Sequence, residues 1–253
     1  MSNILYDYII EDGKLVWANP NVYLNFPGGY SSYGKTICNT GLFFDEIGGI
    51  YFKTGFIPPN EASNYIGSYN DDQNPNIATY CYCVYSTKAD GTVNDFFNLS
   101  VSFFGVRLVD GTAKSGSLEE FNRRKNALGK GWECKLTRTD STSWVMDGVF
   151  TKNKLYTGLK NHHVSIYIGS SFNKYGQATG YPTFRKVYEY KFWDLNQNLI
   201  RHFVPVPTGL KIGDYTVPSN GMWDIVEQKF YGNSGTGEFT YREGGQVKSS
   251  IEL

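Results

Sequence analysis

The chain has 253 residues, with 24 Lys plus Arg against 24 Asp plus Glu, and 17 % of its residues are aromatic beside 28 Gly. The balanced charge excludes a global field that would draw nucleic acid or an anionic membrane surface, so neither partner is expected. β-Branched and aromatic strands with Gly and Asn turns point to an all-β protein long enough to bury a sizeable core.

The N-terminus MSNILYDYIIEDG lacks the basic region and apolar stretch of a signal peptide, and no apolar run approaches the ~20 residues that would span a bilayer. Cys38, Cys81, Cys83 and Cys134 are too sparse for a disulfide framework. Cys81 and Cys83 lie two apart in a run that reads as a strand, where they serve as small buried hydrophobes on one face. A Cys-x-Cys metal pair would need two further ligands, and the neighbouring sequence offers none. Synthesis in a reducing cytoplasm is expected.

In chain order, residues 4–10 and 14–17 flank Asp12-Gly13, the signature of a type I′ hairpin. The turn-rich NPNVYLNFPGGYSSYGKT follows, so residues 1–48 read as an N-terminal arm or first sheet edge. Gly29 to Thr36 matches the phosphate-binding loop expression literally, but ICNTGLFFDEIGGIYF after it has no helical period and is broken by Gly41, Gly48 and Gly49. Without a helix N-terminus the backbone cannot hold a phosphate there.

Further strands are expected at 77–85, 97–104, 133–138, 143–146, 149–151 and 163–169, separated by turn signals at Asp90-Gly91, Asp110-Gly111 and Asp147-Gly148. That spacing is typical of sandwiches. One short helix is expected after the capping box Ser117-Leu-Glu-Glu120, with Leu118 and Phe121 on one face and Gly129 as the stop. Its Arg123-Arg124-Lys125 run suits the C-terminal end of the helix dipole better than an anion site.

The most informative stretch is 185–239. An aromatic run, 187–193, turns through Asn196-Gln197-Asn198 into a second run, 199–206, as a hairpin. Pro205, Pro207 and Pro218 forbid a continuous central strand and mark a crossing between sheets. Residues 222–226 and 229–231 read as two short strands, closed by Gly235-Thr236-Gly237. Tyr188 to Asp194, Leu199 to Pro205 and Gly221 to Phe239 together resemble the closing segment of laminin-G-like, concanavalin A-like jelly rolls of bacteriophage tail and head-surface proteins, of the gut-phage type. His202 departs from the Asp usual in that pattern. Gly49-Ile-Tyr-Phe-Lys-Thr-Gly55 resembles the family's opening strand, so the resemblance spans about 49–240. It implies a two-sheet antiparallel β-sandwich over 49–253, with residues 1–48 as an attachment element for other virion proteins, and it places Trp193 and Trp223 in the core.

No catalytic set emerges. Asp45-Glu46 and Glu119-Glu120 are adjacent, so on a strand they point to opposite faces rather than across one cleft. Only His162, His163 and His202 could serve a histidine mechanism, and neither a G-x-S-x-G elbow nor an H-E-x-x-H motif is present. His202 lies in an apolar run and reads as a satisfied, partly buried imidazole.

Binding is easier to support, because aromatic faces and placed amide or carboxylate groups suit sugar rings. Two predicted loops carry that chemistry: Tyr65, Tyr69, Asn70, Asp71 and Asp72 in the first, and Phe172, Asn173, Tyr175 and Gln177 in the second. Asp71, Asp72 and Asn74 are oxygen donors that could coordinate calcium, although the spaced acidic loop of calcium-binding hands is absent; no other cofactor is expected.

The expected protein is therefore a virion surface protein of a head fibre, tail or capsid, made in the host cytoplasm and adhering to bacterial surface polysaccharide. Its aromatic richness suits a homo-oligomeric interface. Alternatives are a carbohydrate-active enzyme on the same sandwich, or a decoration without ligand.

Overall fold

The computed structural model describes residues 6–26, 36–56, 61–67, 69–70, 79–87, 93–103, 106–113, 131–159, 163–169, 172–173, 185–241 and 251–252. The predicted helix near 117–129, the Gly29–Gly34 run and the Asp90-Gly91 turn lie outside the described residues. What is described is almost wholly β: one 3₁₀ turn, Phe44–Glu46, stands among sheets that are antiparallel apart from the pairings of Tyr8–Glu11 with Ile251–Glu252 and of Tyr69–Asn70 with Phe172–Asn173.

The N-terminal third holds β1 (Tyr8–Glu11), β2 (Lys14–Ala18), β3 (Leu24–Phe26), β4 (Cys38–Phe43), β5 (Ile47–Phe56), β6 (Glu61–Gly67) and β7 (Tyr69–Asn70). Then come β8 (Thr79–Thr87), β9 (Val93–Phe103), β10 (Val106–Ala113), β11 (Trp132–Arg138), β12 (Trp144–Gly148), β13 (Lys154–Tyr156), β14 (Ser165–Ile168) and β15 (Phe172–Asn173). The chain closes with β16 (Arg185–Asp194), β17 (Leu199–Val206), β18 (Lys211–Ile212), β19 (Tyr215–Thr216), β20 (Gly221–Asp224), β21 (Lys229–Tyr231), β22 (Thr240–Tyr241) and β23 (Ile251–Glu252).

The large sheet runs β13-β12-β11-β5-β16-β17-β20-β21, with β3 and β22 extending it beside β16. A four-stranded sheet, β10-β9-β8-β6, and the β14-β4 pair form further layers. Strand alternation sorts the side chains of the large sheet. Ile50, Phe52, Trp132, Leu136, Trp144, Met146, Tyr190, Phe192, Phe203 and Met222 enter the main core, which Cys38, Phe44, Leu108, Ile166 and Ile168 fill from other elements.

A second core lies on the opposite face of the same sheet. Val204 and Val206 alternate with Phe203, and Trp223 with Met222, so they point the other way. There they meet Tyr8, Ile10 and Leu15 from the N-terminal hairpin and Leu210, Ile212 and Val217 from the β17–β20 connection. The hairpin turn is as expected: Asp12 and Gly13 both have positive φ, 50° and 72°, as type I′ requires. Segment 1–48 is thus woven into the sheets through β3 and β4 and sealed onto the C-terminal strands through β1 and β2.

The prolines act differently from the expected crossing. Residues 207–220 leave and re-enter one sheet, because β17 pairs with β20 directly. Pro205 lies inside β17, where pairing with β16 has already ended at Phe203. Its carbonyl accepts the Tyr8 hydroxyl at 2.9 Å, and Tyr241 in turn donates to Tyr8 across 2.7 Å. A strand residue's N and C=O point to the same side, so the missing N–H falls where no ladder partner needs it.

One turn signal and one expected strand are also corrected. Asp110-Gly111 sits inside β10 as a register shift, not between strands. Residues 149–151 form no strand; they wrap the Asp110 side chain, which is 2 % exposed. Its carboxylate accepts Val149 N at 3.1 Å, Phe150 N at 3.0 Å, Thr151 N at 2.8 Å and the Trp132 indole at 2.8 Å. A Cβ at Gly148 would overlap this carboxylate. Asp110 thereby clamps the four-stranded sheet to the large one.

Two stability outcomes follow from these contacts. Asp110→Ala strands three backbone donors and an indole, and is expected to cost about 3–5 kcal/mol in urea unfolding. Leu15→Ala, which opens a cavity in the second core, is expected to cost about 2–5 kcal/mol and so to show that the N-terminal hairpin unfolds together with β17 and β20.

Candidate functional site

Tyr65 lies on β6 opposite Tyr80 of β8, in a strand rather than the expected loop. Tyr69 and Asn70 form β7, which pairs in parallel with β15: Tyr69 stands opposite Phe172 and Asn70 opposite Asn173. Two segments about a hundred residues apart, each singled out for aromatic and amide chemistry, are thus joined backbone to backbone. Asp71, Asp72, Asn74, Tyr175 and Gln177 lie outside the described residues.

Cys81 and Cys83 lie on β8 in alternate positions. Cys38 and Cys134 are buried and form no disulfide. Burial, with a smaller contribution from Asp224, pushes the Cys38 thiol up to about 12, so it is no nucleophile at neutral pH. Among the described residues no group of three or more His, Cys, Asp or Glu side chains is placed to hold a metal ion.

The histidines divide. His162 lies outside the described residues. His163 is 62 % exposed, stacks on Phe43 at 4.1 Å and places Nδ1 3.0 Å from both Asp45 carboxylate oxygens. Among the described residues it makes no hydrogen bond to a Ser, Thr or Cys side chain. His202 is partly buried, with Nε2 2.6 Å from Glu189 Oε1, and Lys191 Nζ meets the same oxygen at 2.7 Å. Burial by itself would raise the Glu189 pKa; the hydrogen bonds from His202 and Lys191 outweigh it and hold the carboxyl below its ordinary value.

Sequence reasoning missed the outer face of the large sheet. One row of directly opposed residues crosses five strands there: Asp147, Lys135, Tyr51, Lys191 and His202. The next row carries Glu133, Lys53 and Glu189. Trp193, expected in the core, lies partly exposed on this face above Gly49, and Lys135 Nζ sits 4.9 Å from its ring centroid. Trp223 is 3 % exposed, in the second core. The signal for this surface was the alternation of Tyr and Lys in YFK and VYEYKFW, which also reads as ordinary amphipathic strand.

A shallow cleft of ≈ 250 Å³ opens at the end of the sheet between Gly48, Arg138, Thr139, Asp140, Ser141 and Leu195. Arg138 spends its donors there on the carbonyls of Asp45, Asp140 and Ser141, which makes it a strut between loops. Asp140 caps Thr142 N at 2.8 Å, a bond that heads the causes lowering its pKa.

Fold and surfaces define an all-β protein of layered antiparallel sheets. No known protein family, no curated protein and no solved structure matches this chain.

Because the Glu189 pKa is depressed in the folded state, its stabilisation is complete above the unfolded-state value, about pH 4.3, and is lost as pH falls through the folded value. Glu189→Gln is expected to cost about 1–2 kcal/mol at pH 7. In urea titrations the gap from the parent should close at the acid end of the range.

Proposed function

We propose that this chain is a virion surface protein of a bacteriophage, built on a concanavalin A-like jelly roll and adhering to bacterial surface glycans. The observation that carries the adhesive reading is the parallel pairing of Tyr69-Asn70 with Phe172-Asn173. It sets Tyr69 and Asn70 opposite Phe172 and Asn173 in one backbone ladder, and these residue types suit a sugar ring through apolar burial of one ring face plus a few fixed hydrogen bonds. The viral setting rests on the resemblance of the 185–239 segment. Segment 1–48 leaves Val16 and Trp17 exposed on β2, 40 % and 39 %, and these are the residues proposed to meet other virion proteins.

Binding to host capsular polysaccharide, measured with and without calcium, tests adhesion. Tyr69→Ala or Phe172→Ala is expected to weaken it about tenfold, ~1.4 kcal/mol, with the unfolding midpoint unchanged. A flat response across a broad glycan panel would remove the adhesive role and leave a structural one. The structural role predicts copurification with virions, and absence from purified particles would sink it.

A further inference from the structure

Three aromatic rings of β5 and β16, and Tyr23 just before β3 packed against Tyr188, each carry a lysine ammonium. Lys135 sits 4.9 Å from Trp193, Lys191 5.2 Å from Tyr51, Lys53 5.2 Å from Tyr188 and Lys186 4.5 Å from Tyr23. Two glycines of β5 make room for the outer rings. A Cβ on Gly49 would stand 3.2 Å from the Trp193 ring, and one on Gly55 3.3 Å from the Tyr188 ring. Both rings therefore rest against bare backbone at the two ends of one strand. From Gly49 to Gly55 is six residues, roughly 20 Å at ~3.3 Å each.

The charges along this strip are unevenly matched. Lys53 pairs with Glu133 at 3.6 Å, and Lys191 pairs with Glu189 at 2.7 Å, where His202 also binds. Among the described residues Lys135 and Lys186 make no ion pair, so each end of the strip holds a lysine ammonium beside an aromatic ring. Glu189 is paired with Lys191 and hydrogen-bonded with His202, and so presents little repulsion to an incoming anion.

We propose that this outer face binds a linear acidic oligosaccharide, with its apolar ring faces against Trp193 and Tyr51 and its carboxylates at Lys135 and Lys186. The complementarity is physical. Aromatic surfaces desolvate the C–H faces of pyranose rings, Lys135 opposite Tyr51 and Lys186 opposite Gly55, roughly 13 Å apart along β5, fix carboxylates on non-adjacent sugars, and a neutral sugar gains nothing from those lysines. This surface is separate from the β7–β15 pair and stands whether or not that pair binds.

The test is backbone amide NMR of the full chain titrated with tetragalacturonate, with maltotetraose as the neutral control. Tetragalacturonate is expected to shift resonances in 49–55 and 186–193, to bind at least tenfold more tightly than maltotetraose, and to lose affinity from about 20 to about 200 mM salt. Lys135→Gln with Lys186→Gln should weaken it at least tenfold while the unfolding midpoint holds. Equal binding of maltotetraose, unchanged binding by the double variant, or no shift in 49–55 would each overturn the proposal. Shifts confined to 69–70 and 172–173 would overturn it while leaving the adhesive reading intact.

Discussion

The antiparallel pairing of β5 with β16 is the constraint on which the rest of the molecule depends. It sends Ile50, Phe52, Tyr190 and Phe192 into the main core and Tyr51, Lys53, Lys191 and Trp193 to the other face. A slip of one residue would exchange these sets, so the register is set by burial. One end is also pinned by the turn after β16. Asp194 accepts Asn196 N at 2.9 Å and Asn198 N at 2.8 Å, Gln197 reaches back to the Gly48 carbonyl at 3.0 Å, and a Cβ on Gly48 would overlap the Asp194 carbonyl. Hydrogen bonds from Asn198 are the main reason the Asp194 carboxyl stays below its ordinary pKa.

Around that pair the sheet is covered on both faces at one end and on one face at the other. At the β17–β20–β21 end, the second core uses the reverse side of the strands whose front side builds the first. Gln228 joins in: its side-chain amide exchanges two hydrogen bonds with the Leu15 backbone, at 3.0 and 2.9 Å, and so closes part of the exposed edge of β2. Asn233 closes the chain at the other side, accepting Ile37 N at 2.7 Å, while Phe239 packs on Phe26 at 4.5 Å. Asp110 holds two of these layers together by accepting three backbone N–H groups and the Trp132 indole.

This arrangement leaves two surfaces of different character. The β7–β15 pair is a meeting of two two-residue segments about a hundred residues apart in sequence. The strip over β5 and β16 is built on the central pair of the large sheet, where side chains are positioned by the ladder beneath them. Tyr51 shows the coupling: burial, then Glu133 and Glu189 beside it, raise its phenol well above the ordinary value, so it remains a neutral hydrogen-bond donor throughout the physiological range.

By itself the sequence determined the all-β class, the hairpin at Asp12-Gly13, the β16–β17 hairpin and the β20–β21 pair, because alternation and turn chemistry are local. The same locality explains its errors. Asp110-Gly111 has the composition of a turn, but a carboxylate finding three backbone N–H groups 39 to 41 residues away makes it a clamp inside a strand. Trp193 looks like core in any hydrophobicity pattern; the face it takes is fixed by the neighbours of β16. Pairing of Tyr69 with Phe172, the second core behind β17, and the lysine–aromatic strip all join residues that no window of the chain contains together. Those features only the tertiary structure decided, because strand order and sheet face are set by which surfaces must be buried against each other.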